Sequence, residues 1–158
     1  MSIKEIDNLL LRFISEVELF RNIDLDDVAA LLRQSTRIDV ARDELVFEEG
    51  DQGYSMYIVT RGVFEVYRSV AGQHVHIARI TPGEHFGEIA LLSNRPRSAS
   101  VRATLPSTVI RLSKNALLSE QRAAVQLFRN MALLMAQRLL SVEDEIILHK
   151  TGRHPSQQ

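Results

Sequence analysis

The chain has no cysteine among its 158 residues, which excludes disulfides and thiolate chemistry and accords with a reducing cytoplasm. No run approaches the roughly 18 consecutive apolar residues that a membrane-spanning helix needs, so no membrane partner is expected. The opening MSIKEIDNLLLRF interrupts its apolar residues with charges and offers no small-residue cleavage site, unlike a secretory signal. Neither sign of charge dominates. With a formal net charge of −1, no global field draws the chain toward nucleic acid or an anionic surface. No serine–histidine–acid ordering or paired-carboxylate spacing stands out, so no catalysis is expected. What remains is length enough for one domain with a proper core, spanning 1–158 and expected to be cytoplasmic.

What is present falls into three rhythms. Within 1–34, Ser2 followed by Glu5 fits a capping box, with Ile3, Ile6, Leu9, Leu10 and Phe13 at helical spacing behind it. Asp24 is placed to cap a second helix through about Gln34, with Leu25, Val28, Leu31 and Leu32 on its apolar face. From 35 to 113 the period becomes two. Ile38/Val40, Leu45/Phe47, Met56/Ile58, Phe64/Val66, Val75/Ile77, Val101/Ala103 and Val109 are spaced as inward-facing strand positions. Glu49-Gly50-Asp51-Gln52-Gly53, Arg61-Gly62, Ala71-Gly72-Gln73 and Thr81-Pro82-Gly83 punctuate them as turns. Short strands between glycine turns predict an antiparallel, jelly-roll-like β-roll, and helices at both ends make the chain α+β. In 114–149 a short helix starts at Ser113 or Asn115, and a long one runs from about Ala123 to His149. Gly152 and Pro155 end the pattern and leave 150–158 as a tail.

One stretch, 86–101, carries chemistry: FGEIALLSNRPRSASV. Phe86-Gly87-Glu88 leads into a short apolar turn from Ile89 and Ala90, and after a polar bend Arg97-Ser98-Ala99-Ser100-Val101 alternates like a strand. A glycine ahead of a helical turn exposes backbone N–H groups without helical partners, and the positive helix end suits an anion. Arg97 adds a forked, charge-assisted donor for phosphate, and Ser98 a hydroxyl. Glu88, an acceptor only when ionised, suits a sugar hydroxyl. Singly, Glu88 reads as well as a helix-start carboxylate and Arg97 as a rim arginine. In this order across a glycine turn, they describe a pocket for a ribose phosphate.

FGEIALL followed by PRSASV resembles the phosphate-binding cassette of cyclic nucleotide-binding domains. That family includes catabolite activator proteins, regulatory subunits of cyclic AMP-dependent kinase and cyclic nucleotide-gated channels. The likeness extends more weakly from about residue 17 to about 149, and Glu18-Leu19-Phe20 resembles the segment that precedes the barrel. The resemblance implies that Glu88 accepts from the ribose 2′-hydroxyl. Gly87, Ile89 and Ala90 would offer backbone N–H groups, and Arg97 with Ser98 would hold the cyclic phosphate, flanked by Phe86 and Ala99. Val66, Ile77 and Ala78 would wall the ribose and base, positions that read equally as plain barrel core. Arg138 would reach in from the long helix as a lid, against its other reading as a snorkelling arginine. Serine at 98 is similar to bacterial cyclic AMP-binding regulators, whereas some cyclic GMP-preferring relatives carry threonine there. Cyclic AMP is therefore the implied ligand, with cyclic GMP and cyclic di-GMP open, and no further cofactor.

Two other readings stand beside this one. A protein of the same fold could have lost the ligand and serve as an interaction or dimerisation domain. His74, His76 and His85 also invite comparison with cupin metal enzymes, yet Ala78, Arg79 and Ile80 stand where a carboxylate ligand would follow the pair. In the long helix Ala124, Leu127, Phe128, Met131, Leu134, Met135, Leu139, Val142 and Ile146 form a stripe expected to lie on the barrel. Leu133, Leu140 and Ile147 repeat every seven residues on another face, a seam for a partner protein or a second copy. The family resemblance thus implies a regulatory binding module that signals through this helix. Transcriptional relatives follow the helix with a helix-turn-helix; this chain shows none after 149, so no nucleic-acid partner is expected.

Overall fold

The computed structural model describes residues 7–151. Ser2 and Glu5 of the expected capping box lie outside them. Asp7 is extended, with φ −61° and ψ 128°, and its carboxylate accepts from the Leu9 N–H. It is therefore Asp7 that caps α1, Asn8–Glu16. A 3-10 turn at Glu18–Phe20 buries Leu19 and Phe20. Helix α2, Leu25–Arg33, starts after Asp24 as expected, but that carboxylate makes no cap bond and faces Arg122 at 3.5 Å instead. Leu25, at the helix start, is exposed, and Ala29 joins Val28, Leu31 and Leu32 in the core.

Eight strands follow in two four-stranded antiparallel sheets. Strands β1 (Thr36–Val40), β8 (Ser107–Ser113), β3 (Ser55–Arg61) and β6 (His85–Phe86) form one, in that order. Strands β2 (Leu45–Phe47), β7 (Ser100–Ala103), β4 (Phe64–Val70) and β5 (Gln73–Ile80) form the other. Between the sheets lie Val40, Tyr57, Val59, Phe64, Ile80, Phe86, Val101, Ala103 and Val109, the interior of a β-roll. Met56 and Ile58, expected to point into the roll, face the other way with Ile110 and Leu112. They pack on Leu19, Phe20, Leu31, Leu117, Leu127 and Met131 of the helical segments. Tyr57 and Val59 take the inward places. Strand β3 is apolar on both faces, so its alternation carries no polar side to mark the outside.

Two departures position the site. In β5, Val66 pairs with Ala78 but Tyr67 pairs with His76, so Ile77 is an extra residue at a bulge. Val75 and Ile77 are consequently exposed on an edge strand rather than buried. Nor do Arg97 to Ala99 extend a strand: β7 begins only at Ser100. The Arg97 backbone is engaged elsewhere, its N–H donating to Asp51 O at 2.8 Å and its carbonyl accepting from Gly50 N–H at 2.9 Å.

Ser113 caps α4, Lys114–Ser119, by accepting from the Ala116 N–H. Helix α5 then runs Gln121–Thr151, 31 residues, roughly 46 Å at 1.5 Å per residue. Its first half is anchored. Ala123, Ala124, Leu127 and Met131 are buried, and the buried Asn130 side chain donates to Leu19 O and Arg21 O, each at 2.8 Å. The expected stripe on the barrel ends with half-buried Leu134 and Met135. Leu139, Val142 and Ile146 are exposed, because a straight helix of this length outruns the surface beneath it. Among the described residues, no helix is long and apolar enough to cross a membrane.

Candidate functional site

Helix α3, Glu88–Ser93, is preceded by Gly87 in the left-handed region at φ 83° and ended by Asn94 at φ 54°. Glycine at 87 is demanded twice. The positive φ is costly for other residues, and an added Cβ would stand 2.7 Å from Arg97 Nη1 and 3.3 Å from Ser55 O. Gly53 meets the same guanidinium from the other side, so a Cβ there would overlap its Nε and Cζ. Two glycines thus clear a slot for one side chain.

Arg97 fills that slot and is only 5% exposed. Its Nη1 donates to Gly87 O and its Nη2 to Ser55 O, both at 2.8 Å. The Phe47 ring lies 4.0 Å from Cζ, within range of a cation–π contact. Its Nε is buried without a hydrogen-bond partner, and no carboxylate lies within ion-pair distance among the described residues. Burial lowers the guanidinium's pKa, opposed by Tyr57, Asp51 and Glu88, yet arginine keeps its charge in proteins. The result is a buried cation supported by dipoles and rings, without a counter-ion beside it.

Glu88 is equally buried, and its Oε1 lies 3.6 Å from Nη1 of the half-exposed Arg138 on α5. His85, also buried, stands beside this pair on β6. Burial lowers its pKa, with Glu88 opposing, Arg138 reinforcing and Glu84 opposing.

The residues assigned to a nucleotide pocket from the sequence line one cavity of about 350 Å³: Phe86, Gly87, Glu88, Ile89, Ala90, Arg97, Ser98 and Ala99 from the cassette, Val66, Ile77 and Ala78 from the wall, and Arg138 from the helix. Phe47, Arg68, Ile80, His85 and Val101 line it too, although the sequence reading gave none of them a place in the nucleotide pocket. Phe47 and Val101 were legible as inward strand positions; Arg68 gave no signal. The metal alternative finds no support here. His74 stacks on Tyr67 with centroids 4.6 Å apart, His76 meets Glu65 at 3.2 Å, and His85 stands apart from both in the cavity lining. No group of three ligand-type residues gathers among those described.

Comparison with known proteins gives a consistent result. The family model described as the cyclic nucleotide-binding domain matches residues 37–122. The Cyclic AMP receptor protein of Thermus thermophilus is 30% identical over 131 residues, 82% of this chain and 61% of that protein. A cAMP-dependent protein kinase regulatory subunit of Mycosarcoma maydis is 30% identical over 92 residues, 58% of this chain and 18% of that protein. The chain therefore spans less than two thirds of these relatives. Among solved structures, the Thermus thermophilus catabolite activator protein superposes with a TM-score of 0.76 at 30% identity, over 84% of this chain and 63% of that one. The regulatory domain of Toxoplasma gondii PKA, crystallised with cAMP, gives 0.70 at 26% identity, over 78% and 49%. The matched families are regulatory binding domains, not enzymes.

Proposed function

The chain belongs to the cyclic nucleotide-binding domain family, and from that premise we propose that it is a sensor of a 3′,5′-cyclic nucleotide, cyclic AMP before cyclic GMP, that reports binding through α5. The observation that carries this reading is Arg97. A buried guanidinium with an unpartnered Nε and no carboxylate partner is a site for an anion, since uncompensated buried charge is costly. Glu88 lines the same cavity, so an anion with a hydroxyl-bearing ring attached is the matching ligand class. In this reading Arg97 and Ser98 hold the cyclic phosphate, and Gly87, Ile89 and Ala90 add backbone donors. Glu88 accepts from the ribose 2′-hydroxyl, while Val66, Ile77 and Ala78 cover the base. The site binds and does not cleave; no further cofactor is needed.

The report would pass through Arg138. Its contact with Glu88 joins α5 to the cavity, and a ligand engaging Glu88 changes what Arg138 gains there. A ligand shifts a helix only through such a difference between two positions. Leu133, Leu140 and Ile147, all more than half exposed, then form the face offered to a partner protein or second copy. A calorimetric titration with cyclic AMP and cyclic GMP tests binding, and saturation by either is the expected result. Absence of both would leave the interaction-domain reading, which that exposed seam favours. Hydrogen exchange with cyclic AMP should raise protection in 86–100 and in 134–148; protection confined to the first segment would overturn the α5 readout.

A further inference from the structure

A second cavity, of about 260 Å³, shares Arg138 and His85 with the first. The rest of its lining is different. Glu18 comes from the 3-10 turn, Glu84 stands just ahead of β6, and Gln137 and Ser141 come from α5. Arg138 therefore borders two spaces, each holding carboxylates. Its contact on the first side is loose. Nη1 lies 3.6 Å from Glu88 Oε1, too far for a hydrogen bond, and the side chain is half exposed. On the second side, neither Glu18 nor Glu84 enters an ion pair among the described residues. Glu84 is also held in place. The Thr81 N–H and hydroxyl both donate to its Oε2, at 2.6 and 2.8 Å, and its carbonyl accepts from the Val59 N–H at 2.9 Å. Both side-chain bonds use Oε2, which leaves Oε1 as an acceptor facing no cation.

Glu88 is buried, so its charge needs a cation or a donor beside it. Arg138 is the cation it meets across the cavity. A ribose hydroxyl donating to Glu88 would take over that role and fill the space that the guanidinium borders. We propose that Glu84, reinforced by Glu18, is the alternative partner of Arg138, and that a 2′-hydroxyl on Glu88 moves the guanidinium from the first cavity to the second. Glu84 is thereby a positioning residue for sugar selectivity. It touches no ligand, but it stabilises the arrangement in which Glu88 is free to accept from the sugar. A ligand without the 2′-hydroxyl leaves Arg138 on Glu88 and gains nothing from Glu84. This rests on the cyclic nucleotide reading above and names the second position between which the ligand selects.

Titrations of the parent, Glu84→Gln, Arg138→Gln and the double variant with cyclic AMP and 2′-deoxy cyclic AMP test it. Glutamine keeps an oxygen for the Thr81 donors while removing the charge. Glu84→Gln should weaken cyclic AMP roughly 3-fold, the scale of a partly exposed ion pair, and leave the 2′-deoxy ligand unchanged. In the Arg138→Gln background the same substitution should have no effect on either ligand, since the two residues act as one pair. Equal losses for both ligands, a loss that persists without Arg138, or no loss in the parent background each overturn the assignment while leaving nucleotide binding intact. A parent that binds neither ligand overturns the functional reading itself.

Discussion

The two ends of the cavity are built on opposite terms. At one end Gly87, Glu88, His85 and Arg97 are held within the fold, with Arg97 wedged between two glycines and bonded to two carbonyls. At the other, Ile77 sits on a bulge of an edge strand and Arg68 lies half exposed. The closed end cannot change without disturbing the packing that makes it. The open end can change its side chains at little cost to the fold. In the proposed reading, holding the anion and contacting the base are therefore separable, the first tied to stability and the second not.

Replacing Arg97 by alanine should break the closed end most severely. A charge-assisted hydrogen bond contributes about 1.5–3 kcal/mol, and two to phosphate correspond to an affinity loss on the order of 100- to 10,000-fold for cyclic AMP, read by titration. The same variant leaves Gly87 O and Ser55 O without their donor, so urea unfolding should show a loss of about 1–3 kcal/mol as well. Lysine should not restore binding, because a point charge lacks the fork. Affinity equal to the parent would place the anion elsewhere.

Glu88→Gln should cost less, roughly 10-fold, and the loss should fall on the ribose ligand rather than on 2′-deoxy cyclic AMP. Comparing the two ligands in one titration series separates a sugar contact from a general electrostatic effect. An unchanged ribose preference would remove Glu88 from the sugar.

The pH dependence follows from His85, whose folded pKa burial holds below its unfolded value of about 6.5. In the window between the two values the unfolded chain binds more protons, so stability rises with pH there. The contribution is complete above about 6.5 and is lost as pH falls toward the folded value. Urea midpoints of the parent and of His85→Phe should diverge as the pH is lowered from about 8 to about 5. Parallel curves would show that His85 titrates alike in both states.

The smallest effect belongs to the open end. Ile77→Ala should change stability by less than about 1 kcal/mol, because the residue is half exposed on an edge strand. Binding should weaken by less than about 10-fold, the scale of part of one apolar contact. A larger stability loss would mean that the bulge residue is a packing element, and the contrast between the two ends would narrow.

Local chemistry is what the sequence by itself determined. The glycine turns, the start of α2 at Asp24, the start of α4 at Ser113 or Asn115, and the order Gly87, Glu88, Arg97, Ser98 depend on neighbours along the chain, and they were legible without coordinates. Only the tertiary structure decided the rest. Met56 and Ile58 face the helices because β3 is apolar on both sides and no local rule distinguishes them. Ile77 turns at a bulge defined by its partner strand, and Arg68, which lines the cavity, is paired with a glutamate 19 residues away. Arg97 illustrates both levels. Its charge and spacing marked it as a phosphate ligand, but the carbonyls of Ser55 and Gly87, the ring of Phe47 and the cleared slot at Gly53 are assembled from separate elements. Burial is a property of that assembly, which is why one residue's identity could be read from the chain and its environment could not.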